Sequence, residues 1–213
     1  TMSTPHGGGG PGSGPVGVRE RLIPFLPVPL VDRKDDKFFF NYDLPESIGK
    51  MHSFYGNFGV VVKAYTYMRM MGAEGLKQAS GDAVLNANYL MNQLKKNYWL
   101  PYDRTCKHEF VLSAKPEKKK GAGAGDIAKA LLDRGFHPPT VYFPLIVEEA
   151  LMIEPTETET RETLDAFARA MAEIAEDIEK DTEKVAHGPY NTVVGRLDEV
   201  RAARSPVLRW EKE

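Results

Sequence analysis

At 213 residues, with 42% hydrophobic and 27% charged side chains, the chain has the composition of a globular protein able to bury a core as one large domain or two modest ones. A formal net charge of -2 gives no support to a nucleic-acid or polyanion-binding surface, and no apolar run approaches the roughly 20 residues needed to span a bilayer. Cys106 is the only cysteine, which excludes an internal disulfide and suits a reducing compartment. The five histidines lack metal-ligand spacing, so no metal site is expected.

The chain opens with TMSTPHGGGGPGSGPVGV, which has no basic start or apolar block and so does not read as a signal peptide. It interleaves Thr4, Pro5, His6, Pro11 and Pro15 rather than repeating Gly and Ser, and is expected to be the interior of a longer protein rather than a linker. Strand-like pieces at Val28 to Val31 and Lys37 to Tyr42, separated by DRKDD, predict a hairpin. Val60, Val61, Ala64, Tyr67, Met68 and Met71 recur at helical spacing, predicting a helix from near Asn57 to Met71 that Gly72 closes. A second helix is predicted from Gly75 to Asn97, with Ala87, Met91 and Leu94 on its apolar face.

At Tyr98 to Thr105 the periodicity stops, and a domain boundary is placed there: residues 1–100 form one domain and 101–213 a second, small α+β domain. Beyond it the pattern predicts a strand at His108 to Ser113 and a basic, solvated loop, KPEKKKGAGAG. A helix capped by Asp126 follows, carrying Ile127, Ala130 and Leu131 and ending at Gly135. Strands are predicted at Thr140 to Pro144 and Leu151 to Glu154. Thr156 and Glu159 have the spacing of a capping box ahead of a long helix with Leu164, Phe167, Met171, Ile174 and Ile178 on one stripe. Residues 186–213 read as an irregular tail.

The opening carries the chemistry. Gly7, Gly8, Gly9 and Gly10 have no side chains, so their backbone can approach another group closely and present clustered N–H donors to an anion. His6 can hydrogen-bond or move a proton near neutral pH, and Ser3 and Thr4 supply hydroxyls. A Gly run kept only for tight packing would look the same, so the run alone does not decide between the two.

The stretch STPHGGGGPGSGPVGV is similar to the glycine decarboxylase (P-protein) family, where it follows a His-Lys-Thr triplet whose lysine carries pyridoxal phosphate (PLP). The resemblance continues through SIGKMHSFYGNFGVVVKAYTYMRMMGAEGL, AVLNANYL, KHEFVL, GFHPPTVYFP and ALMIEPTETE, in the family's order, from Thr1 to about Asp181. It implies an α/β chain, the C-terminal portion of an aspartate-aminotransferase-like (fold type I) PLP enzyme: the end of the large cofactor-binding domain followed by the small domain. It also implies the C-terminal subunit of the two-subunit type, in which Thr1 is the threonine of the triplet and the lysine lies one residue upstream. The isolated chain is therefore expected to be inactive.

The implied activity is glycine dehydrogenase (aminomethyl-transferring): glycine loses its carboxylate on PLP, and the aminomethyl group passes to the lipoyl arm of H-protein. The implied partners are lipoylated H-protein and an N-terminal P-protein subunit, in a heterotetramer or dimer of dimers. The implied place is the cytoplasm of a bacterium, or the mitochondrial matrix in a eukaryote. Thr1, Ser3, Thr4 and Gly7 to Gly10 are the expected cofactor-lining residues, and His6 is the expected catalytic one. Two other readings stay open: another fold type I PLP decarboxylase or lyase, and a non-catalytic assembly module. His137, fixed by Pro138 and Pro139, is a further candidate for the edge of an active site. His108 and Glu154 read as surface and strand-end residues.

Overall fold

The computed structural model describes Thr4 and residues 12–210 and divides into two compact units, Thr1–Glu74 and Gly75–Glu213. The first unit begins its regular structure with a 3-10 turn, Glu20–Phe25, and then forms the expected hairpin from β1 (Leu30–Lys34) and β2 (Lys37–Asn41). The strands are antiparallel, with Val31 opposite Phe40 and Arg33 opposite Phe38. Asp35 and Asp36 connect them at φ 48° and 61°. A two-residue loop with both φ values positive matches the twist of a hairpin, and aspartate tolerates that region better than most side chains.

Around the hairpin, aromatic contacts replace a core. Phe40 stacks on Tyr55 at 4.5 Å, and the Arg33 guanidinium lies over the Phe38 ring while pairing with Asp36. Among residues 12–74 no side chain is buried.

The two helices expected on either side of Gly72 are present within α1 (Phe58–Leu94), parted by a kink at Gly72 (φ 63°, ψ -177°). Glycine adopts that conformation without the Cβ penalty of other residues.

The second unit holds the core. Ala87, Leu90, Met91 and Leu94 of α1 are buried at i, i+3, i+4 and i+7, so the apolar stripe that packs is the last two turns of the helix. A three-stranded antiparallel sheet has the order β3 (Phe110–Ser113), β5 (Ala150–Ile153), β4 (Thr140–Val141). All four residues of central β5 are buried, the pattern of a strand covered on both faces. The expected strand at Thr140 to Pro144 stops at Val141, because Tyr142 turns into left-handed backbone at φ 61°.

In the second unit, α4 (Arg161–Lys180) buries Leu164, Met171, Ile174 and Ile178 as its stripe predicts. Its cap differs from the expectation. The Thr160 side chain accepts from the Thr163 amide at 3.2 Å, while Thr156 and Glu159 form a backbone turn just before it. The first residue with extended backbone ahead of the helix takes the cap, and that is Thr160 at φ -80°, ψ 161°.

KPEKKKGAGAG is not a solvated loop. It holds a short helix, α2 (Lys115–Lys118), buries Glu117, Ala122 and Ala124, and leads into α3 (Ala124–Asp133). Asp126 does cap α3, but from inside the first turn, its carboxylate accepting from the Gly123 amide at 2.8 Å. The expected irregular tail carries α5 (Thr182–His187), whose first residues lie just before it, and α6 (Glu199–Arg204).

The compact units part between Glu74 and Gly75, upstream of the division expected near residue 100. Tyr98 lies in the core of the second unit and donates its hydroxyl to the Met171 carbonyl at 2.9 Å, which ties that stretch to α4.

Candidate functional site

Of the residues that the sequence singles out in the Gly-rich opening, Thr4 is described. Thr1, Ser3, His6, Gly7, Gly8, Gly9 and Gly10 lie outside the described residues. Thr4 is buried, and its Oγ1 has no hydrogen-bond partner among the described residues. A buried hydroxyl without a partner carries a desolvation cost of about 1–3 kcal/mol, so it is an atom that a polar group placed beside it would satisfy. Downstream, Asn57 donates from Nδ2 to the Gly12 carbonyl at 2.8 Å, fixing the point where the opening meets the start of α1.

A second concave feature lies in the second unit. Phe136, Pro138, Pro139 and Phe167 line a cleft of about 320 Å³, with His137 and Glu154 among its polar members. The two prolines hold the backbone after His137 extended, and Phe136 meets Phe167 edge-on at 5.4 Å. Glu154 faces His108 at 3.9 Å, with both side chains more than half exposed, so this pair is a weak surface contact rather than a catalytic dyad. The GFHPPT turn thus borders a cleft.

Sequence reasoning missed a third arrangement. The loop from Tyr142 to Glu149 begins and ends on left-handed residues (φ 61° and 51°), and each end meets the glycine-rich start of α3. The Glu149 carboxylate accepts from the Ala124 amide at 2.8 Å, at the positive end of α3. A Cβ on Gly123 would stand 2.6 Å from that carboxylate, and one on Gly125 would stand 2.8 Å from the Tyr142 hydroxyl. The alternation of Gly and Ala in GAGAG was the available signal. It marks a backbone that other groups approach closely, here two side chains of the same chain rather than a phosphate.

Burial raises the Cys106 thiol above its ordinary value, and burial, with Glu117 nearby, pushes the Tyr98 phenol well above its own. Among the described residues no group of His, Cys, Asp and Glu is arranged to hold a metal ion, and no helix is long and apolar enough to cross a membrane.

A family model described as "Glycine dehydrogenase, C-terminal domain" matches residues 79–195. The chain belongs to that family. It is 62% identical over 212 residues to "Probable glycine dehydrogenase (decarboxylating) subunit 2" of Caldanaerobacter subterraneus subsp. tengcongensis, covering all of this chain and 44% of that protein. The proteins of the same name from Listeria innocua and Bacillus velezensis are 60% and 59% identical, again over all of this chain and 44% and 43% of theirs. The chain therefore spans less than half the length of these relatives.

A crystal structure of glycine decarboxylase (P-protein) of the glycine cleavage system, in inhibitor-bound form, matches with a TM-score of 0.58 and 20% identity, over 73% of this chain and 37% of that one. This likeness establishes the fold. The α/β architecture is that of the glycine decarboxylase chain, a fold type I enzyme, as the sequence resemblance implied.

Proposed function

We propose that this chain is part of a glycine decarboxylase that acts on glycine with PLP and passes the aminomethyl group to the lipoyl arm of H-protein. The observation that carries the reading is the 62% identity, across the whole chain, to a protein named as a glycine dehydrogenase (decarboxylating) subunit. Residues 1–100 are assigned to the end of the large cofactor-binding domain and 101–213 to the small domain. The lysine that holds PLP is supplied from ahead of Thr1, so activity belongs to the assembled enzyme and not to these residues alone. Its other partner is an N-terminal P-protein subunit, and its setting is the bacterial cytoplasm.

PLP, when bound, supplies an electron sink for the charge left on the glycine carbon after CO2 departs. The residues of this chain do the rest. The buried Thr4 Oγ1, which has no hydrogen-bond partner among the described residues, fits a polar group of the cofactor, and Thr1 and Ser3 add hydroxyls on the same segment. Gly7, Gly8, Gly9 and Gly10 bring backbone N–H donors within reach of an anion, with no side chains to hold it off. His6 orients the glycine carboxylate or the incoming lipoyl sulfur. Excluding water from this region would keep the charge left on the glycine carbon from being protonated by solvent.

The test is isotope exchange. The intact enzyme containing this chain, loaded with PLP and given H-protein, is expected to move label from bicarbonate into the glycine carboxyl group. An assembled, PLP-loaded enzyme that shows no exchange rejects the reading.

A further inference from the structure

The GFHPPT turn runs straight on into the Tyr142–Glu149 loop, whose first six residues, YFPLIV, include no charged side chain. Val147 is buried, whereas Leu145 is 87% exposed and Ile146 78%, with Tyr142 and Phe143 about half exposed beside them. A contiguous exposed apolar patch of this kind marks a surface that something covers.

The tip is braced from below. Ser113 donates from Oγ to the Glu148 carbonyl at 2.7 Å, and the Tyr142 amide donates to the Ala150 carbonyl at 3.0 Å. Lys115 pairs with Glu148 at 2.6 Å, and the Glu149 carboxylate holds the Ala124 amide. Both ends of the loop stand in left-handed backbone, which a tyrosine and a glutamate keep only where surrounding contacts impose it. The bracing groups all belong to the second unit, so the tip is set before anything covers it.

We infer that Leu145 and Ile146 form the contact surface for the hydrocarbon chain of the lipoyl arm. The inference rests on the functional reading above and adds to it which residues of this chain meet the arm. Chemistry chooses the occupant. Glycine is a zwitterion and PLP carries a phosphate, so neither gains from a surface whose one polar side chain is Tyr142. The lipoyl arm is a neutral aliphatic chain joined through an amide, and each methylene that it lays against branched aliphatic side chains leaves water favourably. A flexible arm also binds at lower cost on a surface that is already fixed.

Octanamide, the lipoyl chain without its sulfurs, tests this in the intact, PLP-loaded enzyme. It is expected to inhibit bicarbonate exchange competitively against H-protein. In the double variant Leu145→Ala, Ile146→Ala the inhibition should weaken about tenfold and the KM for H-protein should rise by a similar factor, with kcat and the KM for glycine unmoved. Leu145→Met with Ile146→Met, which keeps an apolar tip, should restore both. Wild-type enzyme that octanamide does not inhibit overturns the inference. So does a raised KM for H-protein with octanamide inhibition unchanged, which describes a contact with the body of the carrier protein. A rise in the KM for glycine also overturns it, because the tip then packs against the enzyme itself and shapes the whole site. Wild-type enzyme with no exchange rejects the functional reading and the inference with it, whereas normal exchange and inhibition in the alanine variant reject the inference alone.

Discussion

The Glu149 carboxylate accepts the Ala124 amide at 2.8 Å, in a gap that exists because residue 123 has no side chain. Glu149 thereby satisfies one of the free N–H groups at the start of α3, and Asp126 satisfies that of Gly123. This contact joins the Tyr142–Glu149 loop to the glycine run, and its energy is measurable.

Gly123→Ala places a methyl group 2.6 Å from Glu149 Oε2 and 3.1 Å from Lys118 Cδ. The carboxylate must leave the Ala124 amide, forfeiting a charge-assisted bond worth about 1.5–3 kcal/mol. We expect Gly123→Ala to destabilise the second unit by about 1–2 kcal/mol in denaturant unfolding. The cost should shrink in a Glu149→Ala background, where no carboxylate remains to displace. An equal cost in both backgrounds rules out the coupling.

Glu117 is buried, and its Oε2 has no hydrogen-bond partner among the described residues. Burial raises its pKa, against the opposing pull of its backbone hydrogen bond and Lys120, with Glu179 adding to the rise. The folded state therefore keeps a proton that the unfolded state releases. Stability falls as pH climbs from the unfolded pKa through the raised folded one. Glutamine has no such titration, so Glu117→Gln should gain on the wild type across that window. The gain should level off above it. Denaturation midpoints at a series of pH values check this; a difference that does not change with pH contradicts it.

How legible these features were depends on what fixes them. The α4 stripe of Leu164, Met171, Ile174 and Ile178 could be read because helical periodicity is local and the core lies along one side. Gly72 was likewise visible as a break, although the chain resumes its helix after it. The burial of Ala122, Ala124 and Glu117 could not be read, because it is decided by β5, α4 and the Glu149 loop, which are distant in sequence. Thr156 and Thr160 offer the same chemistry, and only the backbone angles choose between them. The Gly-rich opening was legible through its family resemblance, since a glycine run has no periodicity to place it against a partner.

α4 contributes Met171, Ile174 and Ile178 to the fully buried core of the second unit. Ile174 is fully buried, so Ile174→Ala removes three carbons from a filled core and is expected to cost about 2–5 kcal/mol. Leu145, at the exposed tip of the Tyr142–Glu149 loop, touches no core, and Leu145→Ala should change stability by less than about 0.5 kcal/mol. Comparing the two denaturation midpoints tests the placement of the core. Similar costs for the two would mean that the tip is packed in the intact enzyme.

His6 is followed by four glycines, which have no side chains to orient a reactant. If it positions the glycine carboxylate, His6→Ala should slow bicarbonate exchange by about 100-fold, the usual cost of a misplaced reactant. If it positions the lipoyl sulfur instead, exchange assayed on free lipoate should be spared while aminomethyl transfer to H-protein falls by a similar factor. His6→Gln, which keeps a hydrogen-bonding side chain but cannot titrate near neutral pH, separates holding from proton transfer. Recovery in His6→Gln assigns a hydrogen bond, and no recovery, with a flattened pH profile, assigns a proton. Wild-type rates in His6→Ala for both half-reactions remove His6 from the site.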